Sequence, residues 1–227
     1  MMEPMNCLAM EKNGKWHLFT ANQWQLRMTN MVADALNVEA EDVIHHQQYA
    51  GCGFGRRLEP DAAVPAALAS KFINRPVKLI YTREDDIRFN FNRTLTYQVL
   101  EGGAEFGKIT SLKHDNCAGW STFRQAPGFM ADSKDNKGKV DQFSTNGSDH
   151  WYNIPNHYVR SIRNEINDQS NPPGSVRAVA PFWSFFAVES YMDEMAHLMK
   201  TDPLEFRLRH INPEGINKGI KGVSFGG

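Results

Sequence analysis

Three glycines alternate with Cys52 and Phe54 in the run Gly51-Cys52-Gly53-Phe54-Gly55-Arg56-Arg57, and two arginines close it. A backbone without Cβ atoms lets a ligand lie directly on the chain and lets the chain turn through positive φ. Amide groups gathered ahead of a helix attract an anion, and paired arginines add fixed positive charge. The chemistry these residues suit is the holding of an anionic group, a phosphate or pyrophosphate. A glycine-rich turn with no ligand is the plain alternative that spacing by itself leaves open.

Several other chemistries are excluded. The third glycine comes too early for GxGxxG, and residues 43–49 before the loop are too polar for the central parallel strand a dinucleotide site follows. No GxxxxGK[ST] occurs. Cys7, Cys52 and Cys117 form an odd set with no C-x-x-C, which argues against a disulfide framework and a cysteine-ligated metal. His45 and His46 are adjacent and would point to opposite faces of a strand, so they make a poor metal pair. The formal net charge of -1 over 227 residues gives no basis for binding nucleic acid or an acidic membrane. No apolar run approaches the roughly 20 residues that span a bilayer, and residues 1–4 do not begin a signal peptide. A cytoplasmic or a periplasmic setting is equally compatible with this.

The elements that must position the loop follow from pattern. Residues 16–21 read as a strand after a turn at Asn13-Gly14. Asn22 is placed to cap a helix with Leu26, Thr29, Val32 and Leu36 at helical spacing, and Asn37 is a left-handed stop. Gln23 falls in the first turn of that helix and could reach whatever the loop binds; a solvated side chain is the alternative. An alanine-rich helix spans residues 60–73 and starts or kinks near Val64 because of Pro65. Residues 77–81 and about 93–100 are strands, and Gly102, Gly103 and Gly107 mark a hairpin into residues 109–114. Residues 118–157 are polar and read as a long irregular excursion, 114–160 at its widest. Phe185, Val188, Met192, Met195 and Met199 recur as the core face of an amphipathic helix, with Glu189, Asp193 and Glu194 on a solvated face able to hold arginines. Asp202-Pro203-Leu204-Glu205 has an N-cap, a first-turn proline and an N3 glutamate, so another helix starts there.

Taken in order, these residues resemble the first molybdenum-cofactor-binding domain of the xanthine dehydrogenase/aldehyde oxidase family. The nearest look is to bacterial isoquinoline 1-oxidoreductase β subunits and membrane-bound aldehyde dehydrogenases. Met2-Glu3-Pro4-Met5-Asn6-Cys7-Leu8-Ala9 is similar to the "MEP…A" segment near that domain's start, and Leu18-Phe19-Thr20-Ala21-Asn22-Gln23 to its strand and glutamine turn. The 51–57 run resembles the GGGFGRR loop. Gly174-Ser175-Val176-Arg177 resembles a "GxxR" segment, and residues 186–207 the "FaxE…iDE…DPlefR" ending.

The resemblance implies an α+β fold, mixed β-sheets with helices packed on one side, as one domain over residues 1–227 of a larger subunit. It implies molybdopterin with molybdenum, in bacterial relatives often as the cytosine dinucleotide, the metal being held by the cofactor's own sulfurs. Gln23, Gly51, Gly53, Phe54, Gly55, Arg56, Arg57 and Arg177 would contact the cofactor, and Gln23, Phe54 and Arg177 would lie near molybdenum. The implied reaction oxidises a small-molecule substrate, an aldehyde or N-heterocycle, with water as oxygen source and sends electrons to a [2Fe–2S] partner subunit. Leu58 and Val179 replace a glutamate and an aromatic of purine-oxidising relatives, which disfavours a purine. The family's catalytic glutamate lies in a later domain, and both ends of this chain read as domain edges. The chain alone is thus expected to be inactive, and either to self-associate through the loop face, with Phe54, Phe182 and Trp183 near it, or to leave the 51–57 loop disordered. A non-catalytic binding or assembly module that keeps the fold without the cofactor is the alternative.

Overall fold

The computed structural model describes residues 2–134 and 138–212, which fall into two compact units divided between Phe91 and Asn92. The terminal Phe225-Gly226-Gly227, read above as a domain edge, lies outside the described residues.

In the first unit, β1 (Asn6–Lys12) and β2 (Lys15–Thr20) form a hairpin whose turn residues Asn13 and Gly14 both take positive φ. Helix α1 (Gln25–Leu36), strand β3 (Val43–Gln47), helix α2 (Ala63–Ile73), strand β4 (Val77–Ile80) and the short helix α3 (Arg83–Arg88) follow. The sheet order is β3-β2-β1-β4. Strand β3 pairs parallel with β2 but sits at the edge, where the polar sequence Val43-Ile44-His45-His46-Gln47 is tolerated. Cys7, Ala9, Trp16 and Leu18 bury one sheet face against Met28, Val32 and Leu36 of α1 and the alanines of α2. Ala63, Ala66 and Ala67 carry so little side chain that α2 packs directly against β1. Pro65 sits in the first turn of α2, where its missing N–H costs nothing.

Three expectations for this unit are corrected. The stripe of α1 runs through Met28, Val32, Ala33 and Leu36, whereas Leu26 is 69% exposed. Asn22 does not cap α1 directly; its Oδ1 accepts from the N–H of Trp24, the residue that caps the helix, so Gln23 stands ahead of the helix. Asn37 does end it in the left-handed region, at φ 55°. His45 and His46 part as alternation requires: His46 stacks on Phe19, and His45 Nε2 meets the Thr20 carbonyl at 2.9 Å.

In the second unit, β5 (Thr96–Glu105) and β6 (Lys108–Ala118) form a long hairpin turned by Phe106 and Gly107, both at positive φ. Gly102 and Gly103 are therefore strand residues, beside a bulge at 103–104, and not the turn. The expected excursion is folded. It holds α4 (Ser121–Gln125), a ribbon of β7 (Ala131–Asp132) and β8 (Lys139–Val140), a 3-10 turn at 142–145, and buried Asp141, Ser144, Ser148 and His150. Strand β9 (Asn156–Arg163) then joins β6 in parallel. Helices α5 (Glu165–Ser170), α6 (Val179–Leu198) and α7 (Pro203–Leu208) complete the unit.

Val188 and Met192 of α6 are buried as expected, but the same face also buries Trp183, Ala187 and Tyr191; Trp183 belongs to the core, not to an exposed face, while Phe182 is 59% exposed. Glu189 and Asp193 hold Arg207 of α7 at 2.8 and 2.6 Å, and the Asp202 carboxylate accepts from the Leu204 and Glu205 amides. Among the described residues no helix is long and apolar enough to cross a membrane.

Candidate functional site

The 51–57 loop leaves the edge strand β3 and re-enters the fold through a 3-10 turn at 56–58 ahead of α2. Its bend is made by two consecutive left-handed residues, Phe54 at φ 51° and Gly55 at φ 89°. Glycine takes that conformation without strain; phenylalanine does so at a cost of about 1 kcal/mol. The Arg56 amide donates to the Gly53 carbonyl at 3.0 Å and the Leu58 amide to Gly55 at 3.2 Å, which closes the turn.

Gln23 is the loop's inner brace. Its Oε1 accepts from the Gly55 N–H at 2.9 Å, and its own N–H donates to the Arg57 carbonyl at 2.9 Å. With Oε1 fixed, the carboxamide nitrogen is the donor that remains, on an exposed residue beside the exposed Phe54. A Cβ on Gly53 would stand 2.7 Å from Gln23 Oε1, and one on Gly51 would stand 2.7 Å from Glu3 Oε2. The close approach that demands glycine at 51 and 53 thus comes from side chains of the protein itself.

Both arginines face inward. Arg57 is 0% exposed; its Nε donates to the Cys52 carbonyl at 2.8 Å, and Nη2 lies 3.0 Å from Glu3 Oε1. Arg56 is likewise buried, with a two-pronged pair to Asp61 at 2.9 and 2.5 Å and Asp86 at 3.8 Å. The positive charge read as available to an anion is therefore neutralised inside the fold, and what the loop turns outward is backbone and the Phe54 ring. Glu3, Asp61 and Asp86 were not singled out as site residues; a buried arginine needs a carboxylate, and that signal is legible only once burial is known. Burial acts to raise the Glu3 carboxyl. Hydrogen bonds from Asn6 and the Gly51 and Cys52 amides, with the Arg57 charge, outweigh it and hold the group below the usual carboxylate range.

Arg177 belongs to the second unit. It is exposed, and its carbonyl accepts from Arg93 Nη2 at 2.9 Å. Directly after it the backbone is left-handed at two non-glycine residues, Ala178 at φ 70° and Val179 at φ 37°. A β-branched residue there is an outlier of the kind that clusters at functional sites. Among the described residues no group of three or more His, Cys, Asp or Glu side chains is arranged to hold a metal.

The model of the molybdopterin cofactor-binding domain matches residues 1–211. The chain belongs to this family. Along its whole length it is 40% identical to a membrane-bound aldehyde dehydrogenase [pyrroloquinoline-quinone] of Gluconacetobacter polyoxogenes, of which it spans 29%. It is 29% identical to the isoquinoline 1-oxidoreductase subunit beta of Brevundimonas diminuta, over 93% of this chain and 26% of that one. The aldehyde oxidoreductase of Desulfovibrio gigas superposes on 96% of the chain with a TM-score of 0.74 at 21% identity, using 23% of its own length. The shared molybdopterin-binding fold is α+β with mixed sheets, as expected, and the chain spans less than a third of the relatives it matches.

Proposed function

We propose that this chain forms one wall of a molybdenum-cofactor site in an oxidoreductase that acts on an aldehyde or an aromatic N-heterocycle. The observation that carries the reading is the braced carboxamide of Gln23: Gly55 fixes its oxygen inward, which leaves its N–H groups to a polar ligand beside the loop. The residues of the first unit fit such a group, with a backbone cradle at Gly53, Phe54 and Gly55 and a neutral donor at Gln23; for Arg177, exposed in the second unit, the family resemblance is what supports a contact. When bound, molybdopterin, in its cytosine dinucleotide form if that is what the organism makes, supplies two-electron oxidation with water as the oxygen source.

The roles of this chain are positional. Gln23 donates a hydrogen bond and keeps its aim because the loop holds its other end. Phe54 and Gly55 present backbone, and the aromatic ring excludes water from one side of the bound group. Arg177 offsets negative charge. Arg56 and Arg57 act through the loop they pin and not through direct contact. Proton transfer falls to residues outside this chain, and electrons leave to a [2Fe–2S] subunit. Isolated residues 1–227 therefore bind the cofactor weakly and turn nothing over. The quinone in the name of the aldehyde dehydrogenase relative is the competing cofactor; the family match favours molybdopterin.

The test is metal and cofactor analysis of a full-length subunit containing this chain, wild type and Gln23→Leu. Stoichiometric molybdenum in the wild type, with aldehyde or N-heterocycle oxidation reduced at least a hundredfold in the variant, is expected. Quinone without molybdenum would overturn the cofactor. A full-length protein with neither would make the chain an assembly module.

A further inference from the structure

Three imidazoles face one another inside the second unit. His114 projects from β6 and His157 from β9 on the sheet face that carries Leu112, since Leu112 pairs with His157 and His114 lies two residues on. His150 reaches them from the segment before β9, its ring centroid 4.6 Å from that of His157. His114 is 0% and His150 4% exposed. His114 Nδ1, His150 Nε2 and both nitrogens of His157 have no hydrogen-bond partner among the described residues.

The hydrogen-bond network fixes the tautomers. Gln98 donates to Asn116 Oδ1 at 3.0 Å, so its Oε1 accepts from His114 Nε2 at 2.7 Å, and His114 Nδ1 is a bare lone pair. The Tyr152 amide donates to His150 Nδ1 at 3.1 Å, which puts the ring proton on His150 Nε2. Among the described residues no group of three or more His, Cys, Asp or Glu is arranged to hold a metal, and the three neutral rings have nowhere to disperse a charge.

The nearby groups do little to compensate. Asp115 lies on the opposite face of β6, engaged by Arg160 and Lys113. Asp149 favours charge only on His157. From α6, Glu189 is held by Tyr152 and Arg207, and the neutral Tyr191, beside Glu194, has its hydroxyl unpartnered. In the turn after α7, His210 faces the Ile109 amide and the Phe206 carbonyl.

We propose that His114, His150 and His157 form an acid-sensitive latch that holds residues 148–155 against the sheet and releases them when an imidazole takes up a proton. The segment is also tied by Ser148 Oγ to Asn116, by the core residue Tyr152 with its hydroxyl on Glu189, by the Asn153 amide to the His210 carbonyl and by Trp151 against Phe185, so the imidazoles set the pH dependence of its docking and not the whole of its strength. Burial first, then mutual repulsion, lowers His150 to about 3 and His114 to about 4, and burial lowers His157. Free imidazoles titrate near about 6.5, so the latch is fully closed above that pH and weakens as pH falls below it. Each ring then adds up to about tenfold per pH unit to the opening equilibrium.

Hydrogen exchange on the full chain at about pH 7 and about pH 5, corrected for intrinsic rates, tests this. Opening of residues 148–155 is expected to rise at least tenfold more than that of α1, and His150→Asn should reduce the difference. Equal change in both regions, or none, overturns the latch. An independent decision comes from the wild-type imidazole resonances: His114 and His150 should still be neutral at about pH 5 and His157 should titrate below its free value, and any of the three titrating near about 6.5 in the folded chain refutes the proposal.

Discussion

Replacing Arg57 by methionine is the sharpest trial of the argument that this loop is held from within. The guanidinium is fully buried and serves four acceptors: the Cys52 carbonyl at 2.8 Å, the Ala21 carbonyl at 3.3 Å, the Pro4 carbonyl at 3.4 Å and Glu3 Oε1 at 3.0 Å. Methionine fills much of the volume and supplies no donor. The two longest bonds are weak, so the cost concentrates on Cys52 and on Glu3. A buried carbonyl stripped of its donor costs about 1–3 kcal/mol. Breaking a buried ion pair costs about 3–5 kcal/mol, but Glu3 keeps 33% of its side-chain exposure and water can recover part of that. A net loss of about 3 kcal/mol follows, against a total stability of about 5–15 kcal/mol for a domain. Urea unfolding followed by far-ultraviolet circular dichroism reads it directly. A loss below about 1 kcal/mol would mean that the arginine is only a surface-grade tie and that the inward reading of both arginines is wrong.

Gly53→Ala should cost about 1–2 kcal/mol and expose the Gly55 amide to exchange, because the new Cβ would stand 2.7 Å from Gln23 Oε1; unchanged protection at Gly55 would remove Gln23 as the brace. Glu3 is held below the usual carboxylate range, so its contribution is present above about pH 4.3 and lost as pH falls through the lower folded value. In Glu3→Gln the acid limb of the stability curve should flatten, and an identical limb would refute that assignment. Asp202→Ala should cost about 1 kcal/mol in thermal unfolding, since the carboxylate caps both the Leu204 and the Glu205 amides.

What the sequence discloses and what it hides divide along physical lines. Local signals survive intact: the left-handed stop at Asn37, the Asn13-Gly14 turn and the Asp202-Pro203 helix start each depend on a few neighbouring residues, and all three are present. Tertiary choices are less legible. The stripe Leu26, Thr29, Val32, Leu36 and the true one through Met28 share two members, and only the sheet beneath decides between them. The 118–157 stretch is polar because it folds by hydrogen bonding: Asn116, Asp141, Ser144 and Ser148 are buried and mutually bonded, a solution that hydropathy cannot distinguish from a solvated loop. Arg56 and Arg57 failed as surface charges for the same reason, since nothing local announces that Asp61, Asp86 and Glu3 will meet them.

The two places that the family resemblance marks, the 51–57 loop and Arg177, share a device. Each carries non-glycine backbone in the left-handed region, Phe54 in one and Ala178 with Val179 in the other. Such residues cost about 1–3 kcal/mol each and persist only where the surroundings over-determine them. At Phe54 the surroundings are Gln23 on Gly55 and Arg57 on Cys52. At Arg177 they are the Val179 amide donating to the Val176 carbonyl at 2.7 Å and Arg93 gripping the Arg177 and Val179 carbonyls at 2.9 and 3.3 Å. In both, an arginine, buried at 57 and partly exposed at 93, fixes carbonyls so that a neighbouring polar side chain is presented from rigid backbone. A site that must orient a cofactor without ligating its metal needs that property, because a hydrogen bond strengthens binding only if its donor does not have to be ordered first.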